Sequence, residues 1–170
     1  GLSGIAAGYN LKKSCPNKSF VILEGRDNIG GTWDLFNYPG IRSDSDMHTL
    51  GYRFKPWIHD KSIADGSSIL DYLKETIAEN DLMKNILLKN KVSAANWSSE
   101  RSLWELEIYE GSLHKKMTCN FLFLCGGYYS YTKPHMPYFK NQENFQGQII
   151  HPQFWNKSID YENKKIAVIG

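Results

Sequence analysis

Gly1-Leu-Ser-Gly4 opens a predicted helix over residues 1–13, and Phe20-Val-Ile-Leu23 forms the apolar strand that follows it. Glycines before a helix let backbone N–H groups approach a phosphate, and the helix dipole favours that negative charge. Glu24 closes the strand about twenty residues after the glycines, where a carboxylate accepts hydrogen bonds from ribose hydroxyls. The combination is typical of a β-α-β dinucleotide-binding unit, whose first strand we expect upstream of Gly1.

The carboxylate at position 24 also bears on which nucleotide binds. It repels a ribose 2′-phosphate, so this first nucleotide site suits FAD or NAD better than NADP. At the other end of the chain, Ile166-Ala-Val-Ile-Gly170 is predicted to be a buried strand that enters a glycine turn. Such a strand is the usual start of a second dinucleotide-binding unit, so two nucleotide sites are expected.

Composition excludes several classes of protein. The chain has 170 residues, 41% of them hydrophobic and 22% charged, as in folded globular domains. A net charge of +2 without a basic cluster predicts no nucleic-acid partner. The three cysteines form no CxxC pair, which argues against a metal site or a dithiol active site and favours a cytoplasmic location. No apolar run reaches the ~20 residues that span a bilayer, and membrane association is left open.

The middle of the chain contains a long irregular segment followed by a helix. Residues 25–66 are rich in Gly, Pro, Asp and aromatic residues, and loops of that length are usually functional. Asp65-Gly-Ser-Ser68 is predicted to start a helix, in which Ser68 and Asp71 have the spacing of a capping box. The buried stripe of this helix is predicted to be Ile69, Leu70, Leu73 and Ile77.

The second half of the chain has the pattern of a small β-meander. Trp104, Leu106 and Ile108 alternate with charged residues, which predicts a half-exposed strand. The other predicted strands are Ile86–Leu88, Val92–Trp97, Leu113–Met117 and the apolar run Phe121–Cys125. We therefore predict an α/β fold with a small antiparallel meander.

Two segments between residues 30 and 46 carry candidate ligand-binding residues. Gly30-Gly-Thr-Trp33 allows a close backbone approach to a flat or phosphate-bearing ligand, although a turn with a core Trp is the alternative interpretation. Arg42 and Asp44 follow the turn Tyr38-Pro-Gly40 and are either a solvated pair or fixed charges at a cofactor's reacting edge.

A set of four residues near the end of the chain needs a separate account. The histidines at 48, 59, 114 and 135 have no spacing that argues for a metal or for catalysis. His151, in contrast, is accompanied by Phe145, Gly147 and Trp155 at fixed offsets. Residue spacing alone places this segment between two nucleotide-binding units and gives it no chemistry.

These four residues match the fingerprint F-x-G-x-x-x-H-x-x-x-W, so the chain resembles the type I Baeyer–Villiger monooxygenases of the flavin-containing monooxygenase superfamily. The run Gly30–Asp46, together with Ala64-Asp-Gly66 and His151–Trp155, is similar to the ethionamide-activating monooxygenase subgroup. There are two departures. Asn156 stands where the family more often has Pro or Asp, and Cys125-Gly-Gly127 replaces the commoner Ala-Thr-Gly.

The resemblance implies a three-layer, Rossmann-like FAD/NAD(P)-binding fold that is truncated at both ends. Residues 1–140 would be the FAD-binding domain without its first strand, and residues 141–163 an interdomain linker that bears the fingerprint. Residues 164–170 would be the first strand of an NADPH-binding domain. The family's catalytic arginine and most of its NADPH site would lie outside this internal fragment, so we expect these residues alone to be inactive.

The same resemblance implies roles for individual residues. Ser3 and Gly4 would contact the FAD pyrophosphate, Glu24 the adenosine ribose and the Val92 backbone the adenine. The complete cofactor-binding set that it implies is Gly1, Ser3, Gly4, Glu24, Gly31, Thr32, Trp33, Asp34, Leu35, Arg42, Ser43, Asp44 and Val92.

Arg42, Ser43 and Asp44 would touch the nicotinamide cofactor, and the catalytic assignments are Asp44 and His151. His151 is expected to couple domain movement to catalysis, not to attack the substrate.

The implied reaction uses FAD, NADPH and O₂ to insert one oxygen atom into a ketone or aldehyde, or to oxygenate sulfur, through a C4a-peroxyflavin. Two alternatives stay open: an N- or S-hydroxylating flavin monooxygenase, and a non-catalytic nucleotide-binding remnant. The hydroxylating relatives usually carry Phe or Tyr at the position of Trp155, which favours the first interpretation.

Overall fold

The computed structural model describes residues 1–169. Within that range the chain order begins with a helix and a short strand and continues through three more helices to a second half made of strands. The elements are α1 Leu2–Ser14, β1 Ile22–Leu23, α2 Thr32–Leu35, α3 Met47–Leu50, α4 Gly66–Glu79, β2 Ile86–Leu87, β3 Asn90–Ser98, β4 Leu103–Glu110 and β5 Leu113–Cys119, with 3₁₀ turns at Met83–Asn85, Gln142–Asn144 and Pro152–Phe154.

Helix α1 lies directly against strand β1. A methyl group built on Gly8 would be 2.8 Å from Cδ1 of Ile22, and one built on Gly4 would be 3.6 Å from Cγ2 of the same residue. Only small residues on this face of α1 permit that distance. Ile5 of α1 is 2% exposed and joins the main hydrophobic core.

Helix α4 supplies four of the eleven buried residues of that core, and it begins within the predicted stretch Asp65–Ser68. Ile69, Leu73 and Ile77 are buried, whereas Leu70 is half-buried. The N-cap is Asp65 and not Ser68, because the Asp65 carbonyl already accepts the first helical hydrogen bond from the Ile69 N–H at 3.1 Å. The predicted start within Asp65–Ser68 is therefore confirmed, whereas the predicted Ser68–Asp71 capping pair is wrong, since no side chain caps this helix.

Strands β1 and β2 pair in parallel, and their backbones stay together beyond the strand ends. Ile22 faces Ile86 and Leu23 faces Leu87 in the register. The Glu24 N–H then donates to the Leu87 carbonyl, and the Glu24 carbonyl accepts from the Asn90 N–H, both at 2.9 Å. This pairing fixes the position of Glu24 next to the start of β3.

Strands β3, β4 and β5 form the predicted antiparallel meander, with β4 in the centre. Leu106 and Ile108 are buried on one face of β4, while Glu105 pairs with Arg101 on the exposed side. The register of β3 and β4 shifts between Val92 and Ala94, which is the mark of a β-bulge. The meander thus forms a second layer with its own apolar face.

Two other predicted strands do not form among the described residues. Phe121–Cys125 has no strand partner, and Phe121 and Leu124 are 83% and 86% exposed. Residues 166–169 of the predicted strand Ile166–Gly170 are likewise unpaired, with Val168 89% exposed, and Gly170 lies outside the described residues. The reason is common to both: a strand buried on two faces needs neighbours, and residues 1–169 place none beside either run.

The irregular segment between α2 and α4 is held by buried tyrosines. The Tyr72 hydroxyl accepts from the Tyr52 N–H at 2.7 Å and donates to the Lys55 carbonyl at 2.6 Å, while the Tyr52 hydroxyl donates to the Leu2 carbonyl at 2.7 Å. Burial raises the pKa of Tyr52. These bonds hold the segment against the first turn of α1.

No helix within residues 1–169 has the length and apolarity that crossing a bilayer requires.

Candidate functional site

The two glycine turns that the sequence singles out meet in the structure. Gly31 is buried, has a φ of +58°, and a methyl group at this position would lie 2.9 Å from the Cα of Gly1. A side chain at position 31 is therefore both strained and obstructed, and only glycine lets the two backbones approach so closely. The start of α1 and the start of α2 form one surface as a result.

Glu24 reaches the same point from the end of β1. Its carboxylate is 14% exposed, with Oε2 3.5 Å from the backbone nitrogen of Gly1. The other oxygen, Oε1, accepts a hydrogen bond from the Arg26 N–H at 3.1 Å. We call this cluster of Gly1, Glu24, Arg26, Gly31 and Asp34 the first nucleotide site.

Arg26 is a member of this site that the sequence analysis missed. Its guanidinium donates from Nη2 to Oδ2 of Asp34 at 2.6 Å, and its Cζ lies 5.5 Å from the ring centroid of Tyr131. Its Nε is buried and has no hydrogen-bond partner among residues 1–169. A basic residue two positions after the ribose acid was the available signal for Arg26, whereas nothing in the sequence pointed to Tyr131.

Helix α2 presents the segment that follows the glycine pair. Its four residues, Thr32, Trp33, Asp34 and Leu35, are all half-buried. Trp33 packs against the main core, which orients the short helix, and Asp34 then meets Arg26. The structure thus brings the predicted Gly31–Leu35 segment to Glu24.

Arg42, Ser43 and Asp44 occupy a different edge of the structure. Ser43 is 2% exposed, its N–H donates to the Ala64 carbonyl at 2.9 Å, and its Oγ accepts from the Ala64 N–H at 3.0 Å. Arg42 and Asp44, on either side of it, are exposed. The buried serine fixes the backbone so that both charged neighbours project from one place.

Asp44 lies near a group of aromatic residues that come after the Cys125 run. The Tyr129 ring packs edge-on against Phe36, with 5.1 Å between the ring centroids. A hydrogen bond with Tyr128 raises the pKa of Tyr129, as do burial and the negative charges that Tyr128, Tyr38 and Asp44 carry when ionised. The aromatic cluster therefore connects the loop after α2 to the residues that follow Gly127.

The other residues predicted to contact FAD are Ser3, Gly4 and Val92, and they differ in how exposed they are. Ser3 is exposed and lines an open groove of about 720 Å³ between α1 and residues 50–54. Gly4 is buried against β1, so any contact it makes with a ligand is through its backbone. Val92 is 39% exposed at the β3 bulge, one residue from Lys91, which packs against Gly25.

The fingerprint segment, residues 145–155, is mostly exposed in the described part of the chain. Phe145 is 61% exposed, and its ring lies over Gly147, where a methyl group would be 2.4 Å from Cζ. Nδ1 of His151 accepts a hydrogen bond from the Gln153 N–H at 3.1 Å, and Trp155 packs edge-on against Tyr161 at 5.6 Å. The pairing of Phe145 with Gly147 gives a physical reason for the small residue at that position.

His151 borders an open cavity of about 610 Å³. The lining residues all lie between 136 and 164, so the cavity contains none of the residues of the first nucleotide site. The structure thus keeps His151 apart from Glu24 and Gly31 and does not gather all the predicted residues in one pocket.

Within residues 1–169, no three His, Cys, Asp or Glu side chains are placed to share a metal ion.

Two family models match the chain. The flavin-binding monooxygenase-like family matches residues 54–170, and the NAD(P)-binding Rossmann-like domain matches residues 1–60. The FAD-containing monooxygenase EthA of Mycolicibacterium smegmatis is 52% identical over 170 residues, which are 100% of this chain and 35% of that protein. The probable FAD-binding monooxygenase AlmA of Acinetobacter baylyi is 49% identical over 172 residues, covering 100% of this chain and 34% of that protein. The chain therefore spans much less than half the length of these curated relatives.

A solved structure of an oxidised steroid monooxygenase bound to NADP superposes on this chain with a TM-score of 0.75. Its sequence is 25% identical, and the match covers 92% of this chain and 30% of that one. Together with the Rossmann-like match to residues 1–60, this confirms the predicted α/β, Rossmann-like fold with its antiparallel meander.

Proposed function

This chain belongs to the flavin-binding monooxygenase-like family, whose model matches residues 54–170, and on that premise we propose that the whole protein is an FAD- and NADPH-dependent monooxygenase of the Baeyer–Villiger type. Its substrates are O₂ and a small ketone, aldehyde or sulfur compound. One oxygen atom enters the organic substrate, which turns a ketone into an ester or lactone, and the other leaves as water.

The observation that carries this proposal is the meeting of Gly1, Gly31 and Glu24 at one point. Glycine at position 31 lets the starts of α1 and α2 lie side by side, and the first backbone N–H groups of a helix are the donors that a pyrophosphate binds. Glu24 offers carboxylate oxygens for ribose hydroxyls. The buried Nε of Arg26 lacks an acceptor, and a bound nucleotide would supply one. The residues present therefore fit the adenosine diphosphate end of FAD.

The residues of α2 would bind the flavin end of the same cofactor. Thr32 contributes a hydroxyl and Trp33 a flat apolar wall, both on a helix that starts at the buried Gly31. Trp33 is anchored in the core, so this wall is rigid. FAD bound there would supply the redox and oxygen chemistry, while the protein supplies position and electrostatics.

Arg42 and Asp44 would contact the nicotinamide cofactor. Both side chains are exposed, and the buried Ser43 between them fixes the backbone from which the guanidinium and the carboxylate project. A guanidinium suits a phosphate-bearing cofactor, and a carboxylate can hold a carboxamide by hydrogen bonding. Ser43 would then act through its backbone, because its hydroxyl is already bonded to Ala64.

His151 would link the movement of two domains to the reaction without touching the reacting atoms. Its Nδ1 accepts a hydrogen bond, so the neutral ring carries its proton on Nε2, and that N–H is left to donate to another group. Residues 1–140 would then be the FAD-binding domain, residues 141–163 the linker and residues 164–170 the start of the NADPH-binding domain. Closure of such domains keeps water from the reacting centre.

An N- or S-hydroxylating activity is the second candidate, and Trp155 favours the Baeyer–Villiger type over it. Incubation of the whole protein with NADPH, a cyclic ketone and isotopically labelled O₂ separates them. The proposal predicts a lactone with a single labelled oxygen atom. Hydroxylation of an amine nitrogen with no conversion of any ketone would support the hydroxylating type, and no NADPH consumption would support a non-catalytic protein.

The proposal includes a cytoplasmic location. Cys15, Cys119 and Cys125 are all free, as expected for a reducing compartment. Fractionation of cells that produce the whole protein, with detection in the cytosolic and membrane fractions, tests this part. Recovery in the membrane fraction alone would contradict it.

A further inference from the structure

Gln153 is a buried polar residue in the fingerprint segment, and the chemistry above gives it no role. It is 8% exposed, while Phe145 and Phe154 in the same segment are 61% and 58% exposed. Burial of a carboxamide is costly unless its N–H groups find acceptors. The acceptors of Gln153 therefore show what holds this segment in place.

Its two hydrogen bonds join His151 to a distant part of the chain. The Gln153 N–H donates to Nδ1 of His151 at 3.1 Å, and its side-chain Nε2 donates to the Ser130 carbonyl at 2.8 Å. The Ser130 hydroxyl in turn accepts from the Lys133 N–H at 3.0 Å, which fixes the turn. One side chain thus attaches the fingerprint segment to the residues that follow Gly127.

The residue after Ser130 packs on the first nucleotide site. The Tyr131 ring lies 5.5 Å from Cζ of Arg26, and its hydroxyl is 3.7 Å from where a methyl group on Gly31 would be. Burial, followed by the nearby charge of Glu24, raises the pKa of Tyr131. A planar peptide joins Ser130 and Tyr131, so a displacement of the Ser130 carbonyl moves the Tyr131 ring as well.

We propose that Gln153 is a positioning residue that fixes His151 relative to the first nucleotide site through Ser130, Tyr131 and Arg26. The contacts are continuous: each step is a hydrogen bond, a peptide bond or a packed ring. A nucleotide that accepts from Arg26 would hold Tyr131 in place and, through Gln153, the imidazole. This rests on the proposed function, since the nucleotide is taken to be FAD.

The test compares three variants of the whole protein with the wild type. Gln153→Met keeps the length of the side chain but removes its donors, and Tyr131→Leu breaks the same path at a second place. Gln146→Met is the matched control, because within residues 1–169 Nε2 of the exposed Gln146 donates only to the Asn144 carbonyl, two residues away. Three quantities are measured: trypsin cleavage at the exposed Lys140 and Lys157 without cofactor, the Kd for FAD, and the hydrogen peroxide released per NADPH consumed.

Gln153→Met should speed cleavage at both lysines by about fivefold, the factor that corresponds to one lost hydrogen bond. The Kd for FAD should stay within about twofold, since no FAD contact is removed, while peroxide release rises by a similar factor of about five. Tyr131→Leu should raise peroxide release as well, and the double variant should show less than the sum of the two effects because both act on one path. Gln146→Met should leave all three quantities unchanged.

Equal behaviour of Gln153→Met and Gln146→Met in proteolysis and in peroxide release would overturn the inference. Faster proteolysis with unchanged peroxide release would also overturn it, because Gln153 would then be a structural strut only. Additive effects of the two substitutions would show that Tyr131 and Gln153 act separately. A wild-type protein that binds no FAD would instead contradict the proposed function, and the proteolysis arm would still report whether Gln153 holds the segment.

Discussion

The first nucleotide site and the fingerprint segment are held by the fold in opposite ways. Glu24 is 14% exposed, Gly31 is buried, and their backbones are fixed by the parallel pairing of β1 and by the start of α2. Phe145 is 61% exposed, and within the fingerprint segment Gln153 is the side chain that the structure buries.

That difference matches two different tasks. A site that binds a pyrophosphate gains affinity when its donors are fixed in advance, because little entropy is lost on binding. A segment that changes position during a reaction needs few buried contacts, so that its local free energy of opening is small. Under the proposed function, binding belongs to the first region and movement to the second.

Gly31→Ala should have the largest effect, because the new methyl group would lie 2.9 Å from the Cα of Gly1. We expect the affinity for FAD to fall about a hundredfold from strain and obstruction together, measured by fluorescence titration. Gly40→Ala is the control: its φ of +79° imposes comparable strain, but nothing lies within 4 Å of the new methyl group. Equal losses of FAD affinity in the two variants would show that the contact with Gly1 is irrelevant.

His151→Ala should separate the two regions most clearly. Oxygenation should fall by roughly a hundredfold, as expected when a group that sets geometry is lost, while the Kd for FAD stays within about twofold. Product formation and FAD titration measure the two quantities. His135→Ala, an exposed histidine of the same half of the chain, should change neither. Loss of FAD from the His151 variant would mean that the fingerprint segment is part of the binding site.

Glu24→Gln should weaken FAD binding by about tenfold, since it removes a charge from an acceptor of ribose hydroxyls without changing its shape. Equilibrium titration of the apoprotein measures the change. The exposed Glu100 provides the control, and its change to Gln should have no effect. An unchanged affinity of Glu24→Gln for FAD would show that the carboxylate does not contribute to FAD binding.

Gly147→Ala should have the smallest effect. The new methyl group would meet Cζ of Phe145, but this ring is 61% exposed and can rotate away. The free energy of unfolding should change by less than about 0.5 kcal/mol, and FAD affinity should not change. Chemical denaturation gives the first quantity. A loss of more than about 2 kcal/mol would show that the fingerprint segment is as rigid as the first nucleotide site.

The sequence predicted well those helices and strands whose formation depends on the local pattern of apolar and polar residues. Helix α1 and the meander follow from the periodicity of their apolar residues. Phe121–Cys125 and Ile166–Gly170 were predicted as strands because their residues are apolar, but pairing depends on neighbours that an apolar run does not encode. Ser68 failed as a cap because a backbone bond to Asp65 starts the helix first.

For the candidate site, the sequence identified residues whose chemical type and position in a motif suggest a ligand. It missed residues whose role depends on contacts that only the fold creates. Glu24 and Gly31 were found from spacing, and the structure brings both to Gly1. Arg26, Tyr131 and Gln153 matter because of partners between eight and 105 residues away along the chain, and spacing within a motif contains no such information.

The most direct test of the central claim is the anaerobic addition of NADPH, without substrate, to the FAD-loaded whole protein. The account predicts that the visible absorbance of the flavin is lost with NADPH and returns when O₂ is admitted. Failure to bind FAD would contradict the assignment of the first nucleotide site. Bleaching by NADH but not by NADPH would contradict the assignment of the second cofactor.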